Sequence, residues 1–108
     1  MTVKQLCENC GFTPICLPEP DRIVSGAYMG DLLSWVMGRA QENNAWITIM
    51  SNINVAAVAS LSDVACVILT EDVTLEDDVL AVCNEKGVNV LCSSLPSFET
   101  AIKLYGMV

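Results

Sequence analysis

The feature that most constrains this chain is an alternation that begins at Ala45. Short apolar runs of strand character follow one another, separated by segments with helical periodicity and joined by only a few residues. Ala45-Trp46-Ile47-Thr48-Ile49-Met50 reads as a strand, Asn54 to Leu61 as a helix of small residues, and Ala65 to Leu69 as a second strand. Thr74 reads as the cap of the next helix, with Asp77 as a weaker form of the capping box and Gly87 as the stop. Leu75, Val79, Val82 and Cys83 form its inner face. Val88 to Cys92 is a third strand, and a last helix starts near Ser97 with Phe98, Ala101, Ile102 and Tyr105 directed inward. Strands separated by helices imply βαβ units with right-handed crossovers. The expected fold is therefore α/β, a three-layer arrangement with a mostly parallel sheet and helices on both faces. The almost wholly apolar strand at 65–69 suits a sheet covered on both sides.

Ahead of Ala45 the pattern is more irregular. Residues 2–10 read as a short helix capped by Thr2, with Val3 and Leu6 inward and Gly11 at its end. Phe12 to Cys16 is extended, and Leu17-Pro18-Glu19-Pro20 is a turn, because proline removes a donor and pushes its neighbour out of the helical region. Ile23 to Tyr28 is a short strand or extended loop broken at Gly26. Asp31 reads as the cap of a helix to about Ala40, with Leu33, Val36, Met37 and Ala40 on one face. A chain of 108 residues with no internal linker is expected to form one domain, residues 1–108, able to bury a core without disulfides or metal.

Charge excludes several partners. The net charge is −8 and the few Lys and Arg residues are not clustered, which argues against nucleic acid and against anionic membrane surfaces. The longest apolar run, Val64 to Leu69, is far too short to span a bilayer, and the opening MTVKQLCENC lacks an apolar signal core, so a cytoplasmic location is expected. The six cysteines are then read as thiols, with Cys66, Cys83 and Cys92 as small core residues. There is no histidine, which removes the commonest general base and metal ligand. Apolar residues make up 53% of the chain, a surplus that suits a homodimer face.

The densest run of unusual residues is Asp21-Arg22-Ile23-Val24-Ser25-Gly26-Ala27-Tyr28-Met29-Gly30-Asp31-Leu32-Leu33-Ser34. Its glycines allow close backbone approach, and a helix start favours an anion. The alternative is a tight connector whose Asp21 and Arg22 satisfy each other or nearby backbone. Asp21-Arg22, Gly26, Tyr28 and Gly30-Asp31-Leu32-Leu33-Ser34 resemble the signature of the DRTGG domain family. The resemblance continues through Trp46-Ile47-Thr48-Ile49, Asn54 to Ala59, Pro96-Ser97-Phe98-Glu99 and Leu104-Tyr105. Ile23, Val24 and Ser25 stand between Arg22 and Gly26, so only Asp21, Arg22 and Gly26 carry over from the family's name motif.

The resemblance implies a stand-alone DRTGG domain with a fold similar to the N-terminal part of the serine kinase acting on HPr. Such domains occur as accessory parts of phosphotransacetylases and of inorganic pyrophosphatases with nucleotide-sensing CBS domains. Stand-alone versions accompany redox and hydrogenase-type systems in anaerobes. No G-x-x-x-x-G-K-[ST] loop is present, so kinase activity is not implied.

Two further patterns carry weaker chemistry. Cys7-x-x-Cys10, with Cys16 downstream, places two thiols on one helix face as a redox pair or half of a metal site, although the second pair of ligands is missing. Ser51, Asn52 and Asn54, then Thr70, Glu71 and Asp72, then Ser93 and Ser94 follow the expected strand ends, where open parallel sheets bind ligands. The acidic run Glu71, Asp72, Glu76, Asp77 and Asp78 reads as a solvated face matched to a helix dipole.

Together these readings lead us to expect a non-catalytic regulatory or ligand-binding module, a homodimer without a cofactor, that senses a small anionic ligand or docks a larger enzyme. The expected site is Asp21, Arg22, Gly26, Tyr28, Gly30 and Asp31, with Ser51 and Asn52 nearby and Arg22 holding the anion. The alternatives are a redox or metal accessory protein using Cys7 and Cys10, and a homo-oligomeric scaffold.

Overall fold

A computed structural model describes residues 1–108 as a five-stranded sheet between two helical layers. Helix α1 (Val3–Cys10) opens the chain. Thr2 accepts from the Gln5 amide while the Gln5 side chain accepts from the Thr2 amide, and Gly11 closes the helix in the left-handed region. Strand β1 (Thr13–Cys16) follows, then β2 (Ala27–Met29), α2 (Leu33–Arg39), β3 (Ala45–Thr48), α3 (Asn54–Ser62), β4 (Cys66–Leu69), α4 (Asp77–Glu85), β5 (Val90–Cys92) and α5 (Ser97–Leu104).

The strand order is β1-β5-β4-β3-β2. β2 through β5 pair in parallel, and β1 joins β5 antiparallel. The alternation of side chains along each strand builds the two cores. Trp46, Val67, Leu69 and Val90 face one layer together with residues of α2, α3 and α4. Ala45, Ile47, Cys66, Ile68 and Leu91 face the other, with Val3 and Leu6 of α1 and Leu104 of α5. The fold class is the three-layer α/β arrangement implied by the sequence. Ala56 and Ala59 are small enough to let α3 lie close to the sheet.

Several local expectations are corrected. Asp31 does not cap α2. The cap position is Leu32, with no side-chain bond, because the Asp31 carboxylate reaches back to β3 and accepts from the Thr48 hydroxyl and the Ile49 amide. Thr74 does not cap α4, which starts at Asp77 after Glu71 and Asp72 take left-handed conformations. The strand expected from Ile23 shrinks to Ala27–Met29, while Ile23 makes a lone antiparallel bridge to Thr2. Met37 is exposed, not inward.

The inner face of α5 is also different. Phe98, Ile102 and Tyr105 point outward, and Thr100 and Leu104 are buried instead. Two hydroxyl pairs, Thr70 with Ser97 and Ser93 with Thr100, each 2.8 Å, fix this rotation by tying the helix to the loops after β4 and β5.

Candidate functional site

The residues expected to form one site lie at opposite ends of the sheet. Gly26 precedes β2 and Gly30 follows it, so at about 3.3 Å per strand residue they are roughly 13 Å apart.

At the amino ends, Arg22 forms a clasp. Its Nε and Nη2 donate to Asn43 Oδ1 at 3.2 and 3.1 Å, and Nη2 also donates to the Asp63 carboxylate at 2.7 Å and to the Asp63 carbonyl. Asn43 and Asp63 both hold positive φ just before β3 and β4, a conformation that Asn and Asp tolerate better than most residues. Asp21 is exposed and is not among the partners of Arg22. The guanidinium expected to hold an anion is thus spent inside the chain, pinning the 17–26 connector beneath the sheet. Gly26, at φ 72°, lies beside Asn44, whose side-chain amide would sit 3.1 Å from an added Cβ.

At the carboxyl ends, Tyr28, Met29, Gly30, Asp31, Leu32 and Trp35 line an open cleft of about 370 Å³. The buried indole of Trp46 donates to the Gly30 carbonyl at 2.9 Å, which fixes the turn. A Cβ at Gly30 would come within 3.0 Å of the Tyr28 ring, so the glycine lets the phenol pack close to the backbone. Asp31 is held through Oδ1 by Thr48 and Ile49, leaving Oδ2 free of recorded bonds. Trp35 is half exposed, and the Arg39 guanidinium stacks on it with its carbon 3.8 Å from the ring centroid. Both recorded ion pairs belong to Arg22, so Arg39 has no carboxylate partner. Ser51 and Asn52 follow β3 at the same end, exposed, outside the walls of the cleft. Asn52 is occupied locally, accepting from the Asn54 amide.

The family model of the DRTGG domain matches residues 28–107. The chain belongs to the DRTGG domain family. A solved structure of similar fold is the CBS and DRTGG domains of the regulatory region of Clostridium perfringens pyrophosphatase, complexed with its activator diadenosine tetraphosphate. The two align with a TM-score of 0.73 at 12% identity, over 95% of this chain and 45% of that one. The chain therefore spans less than half of that structure, and the likeness is one of fold. No curated protein matches the sequence.

The family match begins at Tyr28. Tyr28, Gly30 and Asp31 of this DRTGG domain fall inside it, whereas Asp21, Arg22 and Gly26 fall outside. Trp35 and Arg39 were missed by sequence reasoning. Trp35 lies off the apolar stripe of α2, and that offset was the available signal.

The thiols of the DRTGG domain are held protonated. Burial pushes Cys7 up to about 11, with Cys10 and Glu8 adding to it, and burial together with Cys16 pushes Cys83 up to about 11. Burial raises Cys66 as well, and the neighbouring Cys7 adds to it. No group of three or more His, Cys, Asp or Glu side chains is placed to hold a metal ion. Because the folded values exceed the ordinary 9.0, the stability gained from neutral thiols is complete below pH 9 and is lost as pH rises from 9 toward 11. We expect the native protein to react slowly with Ellman's reagent at pH 8 and to release all six thiols in urea. Rapid native labelling of Cys7 would contradict this.

Proposed function

We propose that this DRTGG domain is a non-catalytic regulatory module that binds a small ring-bearing anion with a single phosphate, of the nucleoside monophosphate class, in the Tyr28–Trp35 cleft. The observation that carries this reading is the meeting of the Tyr28 and Trp35 rings with Asp31 in one concave surface, beside which the unpaired Arg39 stacks on Trp35. An aromatic wall suits a planar base, Asp31 Oδ2 suits a hydroxyl or amino donor, and Arg39 suits a phosphate. One arginine against a net charge of −8 favours a single phosphate over a polyphosphate. The pyrophosphatase regulatory region of similar fold takes a nucleotide activator, which supports a nucleotide-type ligand here but not the phosphate count.

The hydroxyls at the strand ends support a non-catalytic reading. Thr70 and Ser93 are buried and paired with the hydroxyls of Ser97 and Thr100, with no base to activate them. Calorimetric titration with adenosine monophosphate tests the proposal. Arg39→Ala should weaken binding about tenfold, the low end for a charge-assisted bond. A folded Arg22→Ala variant should bind as the wild type does. No binding up to millimolar ligand, or equal binding by Arg39→Ala, sinks the reading.

A further inference from the structure

Helix α5 is apolar on two sides. Thr100, Ala101 and Leu104 meet the body of the protein, while Phe98, Ile102 and Tyr105 stand 69%, 57% and 87% exposed on the other side. Phe98 and Ile102 lie one turn apart on α5 and the exposed Tyr105 follows at its extended end, so the three make an apolar patch along the helix. A helix that stays apolar beyond the face it buries has a second surface suited to packing on another body.

We infer that the outer patch of α5 docks on the same patch of a second copy of this chain, antiparallel about a two-fold axis. Self-complementarity carries the choice of partner. Glu99 and Lys103 lie one turn apart along one flank of the patch. A two-fold axis near Ala101 sets Glu99 of each copy across from Lys103 of the other, so the contact contains two opposite-charge pairs. Both groups are available. The recorded ion pairs all belong to Arg22, and the Lys103 amine reaches only the Cys10 carbonyl, at 3.4 Å. Charge also restricts where two copies of a −8 chain can meet. The charges within α5 cancel, so its outer side can meet a second copy without like-charge repulsion along the helix.

Sedimentation equilibrium of the full chain tests this. Wild type should dimerise in the micromolar range, and Ile102→Glu should raise the dimer Kd at least about a hundredfold with the circular dichroism spectrum unchanged. Glu99→Lys and Lys103→Glu should each weaken the dimer about tenfold, since each replaces two attractions with two repulsions. Mixed in equal amounts, the two single variants should form a heterodimer of wild-type affinity, because the attractions are restored across the axis. A chain that stays monomeric to about 100 μM, a dimer indifferent to Ile102→Glu, or a mixture no tighter than its components would each overturn the inference.

Discussion

Trp46→Ala should lower the free energy of unfolding by about 3–5 kcal/mol, the range for removing a large buried aromatic. Trp46 is fully buried in the interior strand β3 and packs in the core formed with α2, α3 and α4. Its loss leaves a cavity that the surrounding strands cannot collapse to fill. It also deletes the indole bond to the Gly30 carbonyl, so the turn that carries Asp31 loses its anchor. Trp46→Phe keeps most of the volume and loses that bond, and should cost less. Urea denaturation followed by circular dichroism measures both. A midpoint for Trp46→Ala close to wild type would contradict the packing described for β3.

Asn89→Ala should cost about 2–4 kcal/mol, although it removes few atoms. Asn89 is buried just before β5. Its side-chain amide donates to the carbonyls of Glu19 and Ala65, and its oxygen accepts from the Glu19 amide. One side chain thus joins the 17–26 connector to the start of β4. Removal leaves these backbone groups without partners in a place water reaches poorly, and each orphaned group costs about 1–3 kcal/mol. Asn89→Asp keeps the shape but loses the two donated bonds, so it should not rescue stability. Full stability of either variant in the same denaturation series would show that the connector is held by other contacts.

These two residues also show what the sequence could disclose. Trp46 was legible as core because it sits in an uninterrupted apolar run, and a run of that length between helical segments has few other uses. Thr2, Gly11 and Gly87 were legible as helix punctuation because their partners lie within a few residues. Asn89 interrupts the apolar run Val88–Leu91, but its partners lie 24 and 70 residues away. Arg22 behaves similarly. The sequence places it beside Asp21, yet the carboxylate it hydrogen-bonds is Asp63, 41 positions on, with Glu19 a looser partner at 3.9 Å. The rotation of α5 depends on hydroxyl pairs with Thr70 and Ser93, so helical periodicity alone favoured the wrong stripe in a helix that is apolar on both sides.

The candidate site was half legible for a geometric reason. A strand of only three residues separates Gly26 from Gly30, and a strand carries its two ends to opposite faces of a domain. Proximity in sequence therefore grouped the Arg22 clasp with the Tyr28–Asp31 turn, whereas the sheet parts them. Trp35 joins the turn because α2 begins directly after it, and Arg39, one turn further on, stacks on Trp35.

The most direct test of a ligand site at the carboxyl end of β2 is a nitrogen–proton correlation spectrum of the labelled protein titrated with adenosine monophosphate. The account predicts saturable shifts in the Gly30 and Asp31 amides and the Trp35 indole, with Asn43, Asp63 and the buried Trp46 indole little changed. Shifts confined to the Arg22 end of the sheet, or none at millimolar ligand, would contradict it.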